Sequence, residues 1–357
     1  MKNKITFFCL ALLISCGPLF AKPLTNKKVD VEQERMYVLE NHLQIDTRYY
    51  DYLESYKANC YLNLDILIWS AINRGWPYCF QLKSVSDDIG QLHTKYPSLH
   101  YDPGFRLGFG MKTSLDWDIF LNWTRFHPSF SETKSDAHGL VAAYAPAPFQ
   151  RAKIKWELDY DLIDMEIGRP FHVGKYIAMR PFVSLRGGQL DQKGTLKFDE
   201  PLPVAQPLNE TVPANADFKE DVWVIGPRLG LDLDFFMGMG FSIYGNLAGA
   251  LLYGEADYRL RATRTIAATG HEEGFLDIDG KFSDLEANLQ IGVGLSWGGF
   301  VHKDKVAFCI KAGWEANYWW DQFNEPIYFT SGSSTFSFYN NRPTILQGGV
   351  ISFRLDF

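Results

Sequence analysis

The sequence has no long apolar run beyond its first 21 residues: no stretch reaches about 18 apolar residues, which excludes a helical inner-membrane protein. A soluble periplasmic protein and an outer-membrane barrel both fit that absence. Positive charge is also short. With 35 Lys and Arg against 42 Asp and Glu, the net charge is −7 and no basic stripe appears, so nucleic acid is not an expected partner. Cysteine is scarce. Cys9 and Cys16 fall in the leader, which leaves Cys60, Cys79 and Cys309, an odd number with no metal-ligand spacing. One disulfide with a free thiol and three buried thiols both stay open. Catalytic signatures are missing too: no His-Glu-x-x-His, no Gly-x-Ser-x-Gly, and no Gly-rich loop followed by Lys-Ser/Thr. The eight His stand singly, which leaves only a constellation assembled in space. The expectation is no enzyme, no catalytic residue, no metal site and no cofactor.

Aromatics and glycine are plentiful instead. Tyr, Phe and Trp number 18, 27 and 10, beside 30 Gly, a composition that favours strands and tight turns over helices. At the start, Lys2 and Lys4 precede the apolar stretch Ile5 to Ile14, and Leu19-Phe20-Ala21 offers a cleavage site. Residues 1–21 therefore read as an export signal peptide. A second reading takes Leu13-Ile14-Ser15-Cys16 as a lipoprotein box with Cys16 lipidated. Residues 22–58 are polar and read as an N-terminal periplasmic arm or a flexible leader, and 59–357 as the main domain.

Within that domain apolar residues recur at every second position. Phe105, Leu107, Phe109 and Met111 alternate with Arg106, Gly108, Gly110 and Lys112, and Leu285 to Trp297 repeat the pattern against Glu286, Asn288 and Gln290. Period two means a sheet with one apolar and one polar face. Several runs reach ten residues or more, the length a transmembrane strand needs (about 9–11) rather than the 5–6 common in soluble domains. Charges of both signs on the polar faces suit a wet lumen, and Trp and Tyr near run ends suit interfacial girdles. In Ile154 to Leu162 the apolar set is even-numbered, and at Ile163 to Ile167 it becomes odd-numbered, as a bulge would cause. Short connections (113–114, 168–174, 237–240, 298–305) alternate with long polar ones (127–151, 190–220, 255–284, 321–344), the asymmetry of periplasmic turns and extracellular loops. Eleven strands emerge: 61–71, 76–84, 102–112, 115–126, 152–167, 174–189, 221–235, 240–255, 284–298, 305–319 and 345–357. Barrels are usually even, so the expected fold is all-β, a single antiparallel up-and-down transmembrane barrel of about 12 strands, with 10 or 14 open.

Segments of this kind resemble a known family. Asp102-Pro-Gly-Phe-Arg-Leu-Gly-Phe-Gly110, Asp116-Trp-Asp-Ile-Phe-Leu-Asn-Trp-Thr-Arg-Phe-His127 and Leu158-Asp-Tyr-Asp-Leu-Ile-Asp-Met-Glu-Ile-Gly-Arg-Pro170 are similar to the major outer-membrane proteins of Legionella and of the environmental relatives of Chlamydia. Arg180-Pro-Phe-Val-Ser-Leu-Arg-Gly187 and Ile225-Gly-Pro-Arg-Leu-Gly-Leu231 extend the likeness, which covers 61–357 outside the long loops. It implies a porin-like envelope protein of the bacterial outer membrane that passes small hydrophilic solutes and ions. C-terminal Phe357, behind Leu355 and Phe353, looks like the signal read by the barrel-assembly machinery. The scarcity of cysteine departs from the cross-linked envelope proteins of Chlamydia itself.

Taking the polar face as inward, the candidate pore-lining residues are the cations Arg106, Arg180, Arg186, Arg228 and Lys311. The anions are Asp118, Glu157, Asp159, Asp161, Glu286 and Glu315. Opposed charges of this kind orient solutes and tune ion selectivity, or else pair with one another and plug the wall. The expected partners are outer-membrane lipid, small solutes and further copies of the chain. The alternative function is an adhesin or structural envelope protein acting through its extracellular loops.

Overall fold

The computed structural model describes residues 60–73, 79–86, 89–95, 98, 100–113, 115–141, 149–201, 214–265, 270–301, 306–331 and 334–357. The expected signal peptide, the alternative Cys16 box and the expected arm lie outside the described residues. All regular structure among the described residues is strand: β1 Cys60–Asn73, β2 Cys79–Ser86, β3 Ile89–Lys95, β4 Asp102–Lys112, β5 Asp118–Phe126, β6 Ser129–Val141, β7 Phe149–Gly168, β8 Phe171–Val173, β9 Ile177–Pro201, β10 Ala214–Gly238, β11 Phe241–Thr265, β12 Glu272–Val301, β13 Val306–Ser331 and β14 Ser334–Asp356.

Ten of these strands close an antiparallel barrel in the order β1-β4-β5-β7-β9-β10-β11-β12-β13-β14, with β14 returning to β1. At the seam the Phe357 N–H donates to the Cys60 carbonyl (3.0 Å) and the Cys60 N–H to the Phe357 carbonyl (3.2 Å). The ring is ten, not twelve. It consists of the expected strands without 76–84: that segment forms β2, which pairs with β6 and β3 outside the ring. At eight residues β2 is shorter than a tilted spanning strand needs. β6 prolongs the β5 edge of β7 after a break at His127-Pro128, where proline offers no N–H to the ladder. There the Pro128 carbonyl still accepts from Leu158 (3.1 Å).

One rim carries tight turns. Gly238, Met239 and Gly240 take φ of 108°, 53° and 80° to join β10 to β11, and a side chain on Gly240 would strike the Gly298 carbonyl. At the other rim the segments expected as long loops are largely strand. β9 runs on to Pro201, β10 starts at Ala214, β12 starts at Glu272, and β13 and β14 stay paired to Ser331 and Ser334. These extensions look polar in sequence because their outer faces meet water while their inner faces pack.

β7 shows how. Its burial alternates without a slip from Arg151 to Gly168, and its register with β9 is unbroken there. The expected bulge near residue 163 is absent. What changes sides is the polarity. Ile163, Met165 and Ile167 face outward, as do Asp161, Asp159 and Glu157 farther up the same face. Asp164 and Glu166 face inward, as do Leu162, Tyr160, Leu158 and Trp156 above them. An outer face needs apolar residues against hydrocarbon and polar ones above it, so the apolar set changes sides where the strand leaves the lipid band. Outward leucines in the band are largely uncovered by protein, Leu285 at 64% exposure. Trp123, Trp297 and Trp314 face outward as the girdle requires, but Trp156 and Trp319 are buried inside the barrel.

Candidate functional site

The lumen holds three layers. Midway along it, side chains from eight strands meet in one hydrogen-bonded lattice. Arg106 on β4 reaches Asp65 on β1 (3.1 Å) and forks onto Glu315 on β13 (2.8 and 3.1 Å). Glu315 accepts from Gln290 on β12 (2.9 Å), whose carbonyl oxygen accepts from Arg228 on β10 (2.8 Å) and Arg186 on β9 (3.2 Å). Arg186 clamps Asp164 on β7 with two bonds of 2.7 and 2.8 Å and donates to Asn288 (2.5 Å). Arg228 donates to Glu166 (2.9 Å), and Glu166 also accepts from Arg180 (3.0 Å). Arg180 in turn grips Asp118 on β5 in a bidentate pair and Asp232 on β10 (3.0 Å). Within this lattice four arginines face six carboxylates, and most of the set is buried. Arg180 and Arg228 also flank the Phe182 ring, 5.2 and 4.9 Å from its centroid.

Towards the long-strand rim an apolar layer covers the lattice. Trp69, Phe126, Tyr160 and Trp319 pack edge to face, with centroids 5.6 to 6.5 Å apart, among Leu67, Leu162, Val224, Leu252 and Leu346. Trp69 and Trp319 have no exposed surface. Arg106 lies 5.6 Å from the Trp69 centroid and ties the two layers together. Trp319 therefore lies inside the barrel and not at the membrane interface. Trp320 faces outward beside Tyr318 (4.5 Å) instead.

Towards the short-turn rim lies a cavity of about 1660 Å³, floored by the lattice and walled by Tyr61, Phe120, Phe182, Tyr244, Lys311 and Arg354. Lys311 stands 3.7 Å from Asp234 and 5.0 Å from the Tyr244 ring, and Arg354 lies over Tyr61 at 3.8 Å. Glycine makes room for these rings: a Cβ on Gly110 would fall inside the Tyr61 ring.

Of the residues expected to line a pore, Arg106, Asp118, Arg180, Arg186, Arg228, Glu286, Lys311 and Glu315 face the lumen. Glu157, Asp159 and Asp161 do not. They lie on the outer surface, because the alternation of β7 turns its odd-numbered residues outward from Arg151 to Ile167. There Asp159 meets His127 (2.5 Å), Asp161 meets Arg125 (3.6 Å), and a hydrogen bond from Lys155 holds the Glu157 carboxyl below its usual range. The lattice residues Asp65, Asp164, Glu166, Asn288 and Gln290 were not among the candidates. Asp164 and Glu166 were legible, since they alternate with Ile163, Met165 and Ile167. Cys60, Cys79 and Cys309 are free thiols.

No curated protein matches the chain. Among solved structures it is similar to the outer membrane protease OmpT from Escherichia coli, at 8% identity and a TM-score of 0.39, over 85% of this chain and 97% of that one. It is also similar to the Pseudomonas putida toluene transporter TodX, at 12% identity and a TM-score of 0.32, over 89% and 99%. A third likeness is to the translocator domain of the autotransporter NalP from Neisseria meningitidis, at 9% identity and a TM-score of 0.32, over 92% and 96%. At such scores none of the three supports a functional argument. The family described as Legionella pneumophila major outer membrane protein precursor matches residues 34–340, and the chain belongs to that family of bacterial outer-membrane proteins.

Proposed function

We propose that this outer-membrane barrel is closed to solutes at rest and serves the envelope through its extracellular side, as an adhesin or structural protein. One observation carries the reading: the charge lattice bridges eight strands across the lumen, and an apolar layer with aromatic contacts from β7 to β1 and β13 packs over it. Buried bidentate pairs hold the first, and aromatic side chains with no exposed surface hold the second. Hydrated ions need a continuous polar path, and a dry aromatic layer interrupts it. Purified barrel in a planar bilayer should show conductance at the lipid baseline. Stepwise conductance from folded protein overturns the proposal. Trimming the strand extensions above the membrane should abolish attachment to surfaces and leave the bilayer record unchanged.

A second reading, the porin-like channel, is favoured by the vestibule. Its volume, its opening at the short-turn rim and its charged floor suit entry of small hydrophilic solutes from that side. It requires Trp69, Phe126, Tyr160 and Trp319 to move aside, and the conductance record separates the two readings. Neither involves catalysis: pure protein should leave lipid and peptide substrates intact. Loss of Phe357 should lower the yield of assembled barrel, because that residue closes the seam with Cys60.

A further inference from the structure

The outer surface above the lipid band carries charge in rows. Across β7, β9, β10, β11 and β12 the register aligns Glu157, Lys193, Lys219, Arg259 and Asp279, so three cations stand side by side on neighbouring strands. One step nearer the lipid band it aligns Asp159, Asp191, Asp221 and Asp257, four carboxylates side by side. Like charges directly opposite one another in a sheet lie about 4.5–5.5 Å apart and destabilise it. Part of the repulsion is relieved locally: Lys219 bonds Asp221, Arg259 stands 3.7 Å from Asp277, and Lys281 pairs with Asp257 (2.7 Å). Lys193 has no carboxylate within 4 Å among the described residues, and the side chains of Lys219 and Arg259 are 52% and 51% exposed.

We propose that the row Lys193, Lys219, Arg259 is a docking surface for the phosphate groups of a bulky phosphorylated glycolipid in the outer leaflet. A phosphate between two neighbouring cations contacts both and removes their repulsion. Height selects the lipid. Acyl chains lie against Ile225 and Leu251, and Trp223 and Tyr253 mark the interface, their rings 5.7 Å apart. Lys219 stands four residues above Trp223, about 13 Å along the strand and about 10 Å in height at a tilt near 40°. The polar layer of a simple bilayer is only about 5–7 Å deep on each side. Between the two levels the aspartate row repels a phosphodiester of ordinary height. Only a tall headgroup carries its phosphate past that row.

The proposal rests on the outer-membrane placement of the chain and not on whether the lumen conducts. Its test uses the full-length barrel in nanodiscs of phosphatidylethanolamine doped with a bisphosphorylated diglucosamine glycolipid, with retained glycolipid measured after washing. Wild type should retain it, and the triple variant Lys193→Gln, Lys219→Gln, Arg259→Gln should retain at least tenfold less. Wild type should discriminate equally against the dephosphorylated glycolipid. Lys193→Glu alone, at an exposed position, should lose about three- to tenfold and covers the case in which the triple variant does not fold. Equal retention by the folded variants overturns the proposal. So does equal retention of phosphatidylglycerol, or full displacement by millimolar inorganic phosphate, since either makes the row a generic anion surface.

Discussion

Replacing Arg186 with methionine tests the sealed lumen through its most deeply held pair. The Arg186 and Asp164 side chains are 4% and 2% exposed, and they share two hydrogen bonds of 2.7 and 2.8 Å. Arg186→Met leaves the Asp164 carboxylate buried without its cation and removes donors from Asn288 and Gln290. Breaking a buried pair from one side costs about 3–5 kcal/mol, which is roughly two to three and a half orders of magnitude in the folding equilibrium. Removing both charges with Arg186→Met and Asp164→Leu together should recover most of that loss, because a packed apolar pair of similar volume is often neutral. The two single variants and the double variant then form a cycle with a coupling of at least about 2 kcal/mol. Urea unfolding in detergent micelles, followed by tryptophan fluorescence, measures all four proteins. A loss below about 1 kcal/mol for Arg186→Met, the range of exposed pairs, means that water reaches this arginine. The lumen is then wet and the closed reading fails.

Three further outcomes follow from the same structure. Trp69→Ala with Trp319→Ala removes two of the rings that cap the lattice and should turn a silent barrel into one with stepwise conductance; folded double variant at the lipid baseline places the seal elsewhere. Asp191 is held above the usual carboxylate value of 3.8 by burial and by Asp221 and Asp159. Its ionised form is therefore penalised at pH 7, and the penalty disappears as the pH falls below the unfolded value. Asp191→Asn should raise the unfolding midpoint at pH 7 and lose that gain near pH 3, and equal gains at both pH values refute the assignment. Burial pushes the Cys79 thiol up to about 12, so it should resist alkylation at pH 8 in the folded protein and react on unfolding. Rapid labelling of native Cys79 contradicts its packing against Leu140.

Much of the fold was legible because hydrocarbon enforces period two over long runs. Leu285 to Trp297 and Phe105 to Met111 are alternating stretches whose outward set is what the lipid requires. The ring number was not legible, because alternation identifies a strand without identifying its neighbour, and β2 alternates in a place outside the ring. The extensions of β9 to β14 were read as loops for a related reason: Thr195, Lys197 and Asp199 face water while Leu196 and Phe198 pack inward. Read as a linear string, that mixture is ordinary loop composition. The candidate site divided along the same line. Where the outward face is lipid, polar parity finds lumen residues such as Arg106, Arg180 and Glu315. Where the outward face is water, the same rule puts Glu157, Asp159 and Asp161 on the wrong side.

The change of sides also accounts for the proposed closure of the lumen. A strand that rises out of the membrane can no longer bury its apolar residues against lipid, so it must bury them inside the barrel. With ten strands the interior is little wider than in an eight-stranded barrel, where side chains suffice to fill it. Trp69, Phe126, Tyr160 and Trp319 are large enough to meet across that width, and below them Arg106 on β4 reaches Glu315 on β13 and Arg186 on β9 reaches Asn288 on β12, in neither case a neighbouring strand. A tall folded extension and an open pore therefore compete for the same volume. An open version of this barrel would need polar residues where Trp156, Leu158 and Leu162 stand, and β7 would then have no apolar face above the lipid. On this reading the paired strand extensions and the proposed seal of the lumen have one cause.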